Sequence, residues 1–186
     1  MSILSIALMG TDVLKQVAQP VENPGDPEIS RLAADMRETL EHIGANGIAA
    51  PQVHVSKRVV VYRISAHQIP LDSTMQPLEW RVLINPLLTP VSDEKMILWE
   101  RCLSVPGLHG QVARYKKVHL QAQQLDGSTF EIEAAGFHAS LLQHECDHLD
   151  GVLYPMRMTN LSSLSFNSEL GDKGFFIPRD PAEFVD

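Results

Sequence analysis

The stretch LLQHECDHLDG, residues 141–151, sets two histidines around a glutamate in the pattern HExxH. On a helix, about 100° per residue puts His144 and His148 one turn apart on a single face, where both imidazoles reach one ion. Glu145 lies about 100° round from His144, beside such an ion rather than on it, which suits a base acting on water. Cys146 is roughly 200° from His144, on the far side, and is read as core packing. The fold must therefore hold this helix rigidly, open one face of it to a cavity and bring a third protein ligand there, leaving one position open for water.

Three sources for that ligand stand open. The extended pattern HExxHxxGxxH starts well, with Gly151 in place, but its last position holds Tyr154. Glu169 stands 21 residues past His148 and offers a carboxylate from a later element, though Pro155 and SSLSFNS give little helical support. Cys102, in WERCLSVPG, would come from a different part of the fold.

Around this helix the pattern is α+β. Ile29, Leu32, Ala33, Met36, Leu40 and Ile43 recur at helical spacing over residues 26–44, with Asp26 as N-cap, Pro27 in the first turn and Gly44 at the end. ANGIAAPQ (45–52) reads as a loop, KRVVVYRI (57–64) as a strand, and 80–85 and 94–99 as strands interrupted by the proline-bearing NPLLTP. VHLQAQQL and STFEIEA alternate apolar and polar residues across Asp126-Gly127, a hairpin signal. The HExxH helix runs from about His138 to Leu149. The expected architecture is mostly antiparallel strands around a central metal-binding HExxH helix. Residues 1–158 form one catalytic domain, and residues 159–186 an irregular tail.

Charge and export signals bound the function. With 15 Lys+Arg against 23 Asp+Glu, the formal charge of −8 argues against a nucleic-acid-gripping protein. The N-terminus has no basic region before its short apolar run, and no apolar run approaches the roughly 18 residues that span a bilayer. A cytoplasmic protein with Cys102 and Cys146 as free thiols is expected, with no membrane partner.

ANGIAAPQ (45–52), ERCLS (100–104) and QHECDH (143–148) resemble, in order, the stretches GxGxAAxQ, EGCLS and QHExDH of peptide deformylases. The resemblance covers roughly residues 10–158. It implies that Cys102, His144 and His148 bind one divalent metal, Fe2+ in cells with Zn2+, Ni2+ or Co2+ also accepted, and that Glu145 is the general acid and base. It further implies that Gln52 and the Leu103 N–H stabilise the oxyanion and that Gly47 pairs with the substrate backbone. The reaction implied is removal of the N-formyl group from the initiator methionine of nascent peptides, releasing formate. Helical spacing places Leu141 and Phe137 on the face of His144, bordering the cavity where a methionine side chain would sit.

Contact with the ribosome through a basic C-terminal helix is not expected. From Thr159 onward the chain has only Lys173 and Arg179 against five carboxylates. Three residues depart from the family pattern: Ala45 for the first glycine, Asn46 for an apolar residue, and Arg101 for the glycine of EGCLS. If position 101 needs a positive φ, arginine there costs about 1 kcal/mol and shifts the loop carrying Cys102 and Leu103, altering rate or preference beyond the methionine. Two other readings are an endopeptidase using Glu169 and a metal- or formyl-peptide-binding paralogue with little turnover; the intact Glu145 and Gln52 argue against the latter. His42, His54, His67, His109, His119 and His138 are read as surface or packing residues. Glu100 is read as an anchor of its loop, and Asp147 as a partner of Arg114 that orients the helix or as a solvated charge.

Overall fold

The computed structural model of the chain describes residues 2–66, 69 and 75–170. Helix α1, Pro27–Ile43, forms where the helical spacing predicts it and buries Ile29, Ala33, Met36 and Leu40. Asp26 caps it by accepting from the Glu28 N–H at 2.8 Å, and Gly44 ends it in the left-handed conformation that glycine adopts without a Cβ penalty. Eight strands follow: β1 (Gly47–Ala49), β2 (Val59–Ile64), β3 (Leu78–Pro90), β4 (Lys95–Cys102), β5 (Val105–Tyr115), β6 (Lys117–Gln123), β7 (Thr129–Ala135) and β8 (Ser165–Phe166). Helix α2, Gly136–Leu149, separates β7 from β8, and a short helix α3, Asn167–Leu170, follows β8.

The strands form two antiparallel sheets, one ordered β1-β2-β3-β6-β7 and one ordered β4-β5-β8. β2 explains why VVVYRI is apolar without alternation: Val59 and Val61 pack with the buried face of α1, while Val60, Tyr62 and Ile64 pack with α2. A strand covered on both faces reads as a continuous apolar run. On α2, Ala139, Leu142 and Leu149 are fully buried against the larger sheet. Each buried leucine contributes about 1.5–3 kcal/mol to holding the helix in place. The opposite flank of α2 meets β5 of the smaller sheet, so the helix is gripped between the two.

Four expectations are corrected. Residues 45–52 are not a loop but the edge strand β1 followed by a 3-10 turn, Ala50–Val53; three residues are too few to show a period. NPLLTP does not interrupt β3, because a register shift between Ile84 and Leu87 absorbs Pro86, with Asn85 at φ 51°. Asparagine tolerates that conformation, and its amide is held by the N–H and carbonyl of Val21. β4 runs past residue 99 to Cys102 and turns through Leu103-Ser104 into β5, a strand the sequence reading lacked. Residues 159–170, expected to be irregular, carry β8 on the edge of β5, opposite Leu108 and His109, and then α3. The rest of the expected tail, 171–186, lies outside the described residues, as does His67. Among the described residues no helix is long and apolar enough to cross a membrane.

His138, near the start of α2, packs beside Tyr62 with its Nε2 3.2 Å from the phenol oxygen. Burial, and then the nearby Arg81 charge, push its pKa from 6.5 down to about 4. The unfolded chain therefore binds a proton that the folded chain refuses. The urea midpoint is expected to fall as pH drops from 6.5 toward 4, and to fall less in His138→Gln. An equal fall in the variant would assign the effect to other groups.

Candidate metal centre

Cys102 closes β4 and faces the HExxH side of α2. Its Sγ lies 3.3 Å from His148 Nε2. One donor atom from each of Cys102, His144 and His148 falls within 4.8 Å of the others. In a tetrahedral site of one thiolate and two imidazoles the donors stand about 3.5 Å apart, so the group has the span of a single ion. Among the described residues, Cys146 and Glu169 do not join it. Cys146 is buried away from the group, and burial pushes its thiol up. Glu169 is exposed in α3, which leaves the endopeptidase reading without its ligand.

The electrostatics suit a cation. Burial opposes ionisation of the Cys102 thiol, yet the imidazoles of His148 and His144 hold its pKa well below the ordinary value. Burial likewise opposes charge on His144, but the Cys102 thiolate and Glu100 hold its pKa well above. The pair thus asks for positive charge, which a divalent ion supplies, and thiolate with two imidazoles is a donor set accepted by several transition metals.

Behind the group lies a chain of ion pairs, buried from Glu100 through Arg114 to Asp147. His144 Nδ1 is 2.7 Å from Glu100 Oε2, which leaves Nε2 for an ion. Arg114 donates to both Glu100 oxygens at 2.6 and 2.9 Å and to Asp147 at 2.6 Å. Arg157 donates to Asp147 at 2.7 Å. Burial alone would raise the Glu100 pKa, but Arg114 and His144 hold it at about 2. Glu100 is therefore more than a loop anchor: it ties a histidine to the smaller sheet. Alternation along β4 puts Glu100 on the face of Cys102, the one sequence signal that could have found this contact.

The other candidates gather on the open side. A cavity of about 330 Å³ is lined by Gly47, Gln52, Cys102, Leu103, Phe137, Leu141, His144 and Glu145 together, and His148 lies against Cys102. Gln52 accepts from the Ala49 N–H at 2.9 Å and turns its amide toward Cys102 Sγ at 3.4 Å and Ser104 Oγ at 3.3 Å. Glu145 is buried, one of its oxygens has no partner among the described residues, and burial pushes its carboxyl to about 7 against the pull of His144 and His148. Its side chain lies against Gly47, where an added Cβ would overlap the carboxylate. The strain expected at Arg101 is absent: His54 and Asn85 are the non-glycine residues with positive φ among those described, so Ala45, Asn46 and Arg101 sit in ordinary backbone. The register between Glu100 and Cys102 is irregular.

Comparison with known proteins places these features in a family. The polypeptide deformylase family matches residues 3–163. The chain is 39% identical over 162 residues to peptide deformylase 1 of Nitrosomonas europaea, covering 87% of this chain and 91% of the relative. It is 41% identical over 166 residues to peptide deformylase 1 of Bordetella pertussis, covering 89% and 93%. Among solved structures, the Met-Ala-Ser-bound class I type b peptide deformylase of Acinetobacter baumannii superposes with a TM-score of 0.78 at 35% identity, covering 84% of this chain and 99% of that one. Peptide deformylase of Thermotoga maritima superposes with a TM-score of 0.76 at 30% identity, covering 86% and 100%.

Proposed function

The chain belongs to the polypeptide deformylase family, and from that premise we propose that Cys102, His144 and His148 hold its catalytic metal with Glu145 as general acid and base. It is a metal-dependent hydrolase that removes the N-formyl group from nascent peptides. The observation that carries the residue assignment is the convergence of three donor atoms within 4.8 Å of one another, two of them, from Cys102 and His144, on residues that line the same cavity as Glu145 and Gln52.

A divalent ion bound there supplies Lewis acidity to the formyl carbonyl and to water. Glu145, poised at about 7, takes a proton from the attacking water and returns it to the departing amine, so that formate and a free N-terminus result. The Gln52 amide and the Leu103 N–H meet the charge that develops on the carbonyl oxygen. Phe137 and Leu141 wall the cavity with apolar surface suited to the methionine side chain. β1, at the edge of its sheet, offers Gly47 to the peptide backbone as an added strand would require. Ferrous iron in the cytoplasm is the proposed native metal, with zinc, nickel or cobalt as substitutes. The substrates are N-formylmethionyl chains met transiently at the ribosome. Residues 1–158 are the proposed catalytic domain, a division supported by the family match ending at 163.

The test is formate release from formyl-Met-Ala-Ser by anaerobically purified protein, with metal analysis of the same sample. Cys102→Ser is expected to lose metal and turnover together, and Glu169→Gln to keep both. A full complement of metal without formate would sink the reading in favour of a binding paralogue. Gly47→Ala tests the positioning of Glu145: displacement of the carboxylate by an ångström is expected to lower kcat/KM by about 100-fold with metal content unchanged. Undiminished turnover would mean that the carboxylate moves aside freely.

A further inference from the structure

We propose that the Asn46 carboxamide reads the sulfur of the substrate's methionine by donating an N–H to it, which makes this enzyme distinguish methionine from a side chain of the same shape built of carbon alone. The inference rests on the deformylase reading and names a specificity-determining residue within it. Asn46 directly precedes β1, and its carbonyl accepts the Arg63 N–H at 2.8 Å, so its backbone is pinned to β2. It is 8% exposed and lines the same cavity as Phe137, Leu141 and Glu145. The family stretch GxGxAAxQ usually carries an apolar residue at this position, so the carboxamide is a departure of this chain.

Among the described residues nothing satisfies that carboxamide. Its Oδ1 is sealed from solvent without a hydrogen-bond partner, and its Nδ2 has no partner either, yet is not sealed. Buried polar groups are as a rule hydrogen-bonded, and one left unmet on the wall of a substrate cavity is met by what enters. The N–H end is the one open to an incoming group. In an N-formylmethionyl peptide the formyl oxygen turns to Gln52 and the Leu103 N–H, and the backbone runs along β1 from Gly47. The polar atom that remains on the methionine side chain is its sulfur, a weak acceptor that an amide N–H can meet. Phe137 and Leu141 do not tell sulfur from carbon, because burial favours a methylene at least as much as a thioether. A hydrogen-bond donor does, since an analogue without the acceptor leaves that donor buried and unpaired.

The experiment compares kcat/KM for formyl-Met-Ala-Ser with that for formyl-norleucyl-Ala-Ser, in which a methylene replaces the sulfur, and for the O-methylhomoserine peptide, in which an ether oxygen, a stronger acceptor, replaces it. Wild-type protein is expected to favour methionine over norleucine by about fivefold, the size of one hydrogen bond of modest net strength. In Asn46→Leu, which puts an apolar side chain of similar shape in place, that ratio should fall to about one or below. The loss of kcat/KM on this substitution should be smallest for norleucine, larger for methionine and largest for the ether. Damage to the fold or to the metal centre would not produce that ranking, since it touches three peptides of the same shape alike. Asn46→Val gives the same comparison should Asn46→Leu not fold. A wild-type ratio of one, or the wild-type ratio retained in the substituted protein, overturns the inference while turnover of formyl-Met-Ala-Ser leaves the deformylase reading standing. No turnover of that peptide by metal-loaded wild type overturns both.

Discussion

Glu145→Gln is expected to lower kcat on formyl-Met-Ala-Ser by about 100- to 10,000-fold, the contribution of a positioned general base, while the protein keeps its metal. Glutamine keeps the shape of the side chain, so the contact with Gly47 survives and the cavity stays filled. What is lost is a group that can accept a proton, since burial leaves the carboxyl poised at about 7 and an amide titrates nowhere near. Metal content should not change, because the convergent donors are Cys102, His144 and His148. The two readouts separate roles that activity alone confuses: a base variant is inactive and loaded, and a ligand variant such as Cys102→Ser is inactive and depleted. If Glu145→Gln emerged depleted, Glu145 would have to be counted among the ligands. A loss smaller than about tenfold would remove it from the role of base.

Glu100→Ala is expected to destabilise the fold by about 3–5 kcal/mol, because it strands the buried Arg114 guanidinium. Both Glu100 oxygens accept from Arg114, at 2.6 and 2.9 Å, and the side chains involved are 4% exposed. The partial compensation is Asp147, which still meets Arg114 at 2.6 Å. The same substitution removes the carboxylate from His144 Nδ1, so metal affinity should fall by about 10- to 100-fold. Urea denaturation of the metal-free protein reads the first effect, and competition against a chelator reads the second. Lowered stability with unchanged metal affinity would make Glu100 a structural residue whose bond to His144 does nothing for the site.

Local signals were readable along the chain. The spacing in α1 and its caps at Asp26 and Gly44 involve residues within a few turns of one another, and HExxH places its side chains by helical geometry alone. The hairpin across Asp126-Gly127 formed for the same reason. Features that depend on a neighbour in space were hidden. β1 is too short to show a period, β5 breaks its alternation at Gly107 and Gly110, and β8 exists because it lies against Leu108 and His109. Arg101 illustrates the limit in the other direction: the substitution of glycine suggested strain, but the backbone there is ordinary and its consequence is a charge at the cavity.

The sequence by itself determined the disposition of His144, Glu145, Cys146 and His148 around one helix, since consecutive residues on a helix are bound to fixed angles. Tertiary structure alone decided that Cys102 arrives 3.3 Å from His148, that Glu100 is shared between His144 and Arg114, and that Gly47 lies against Glu145. Those partners are separated by 14 or more residues of chain, and only the pairing of β4 with β5, the edge position of β1 and the packing of α2 between two sheets bring them together.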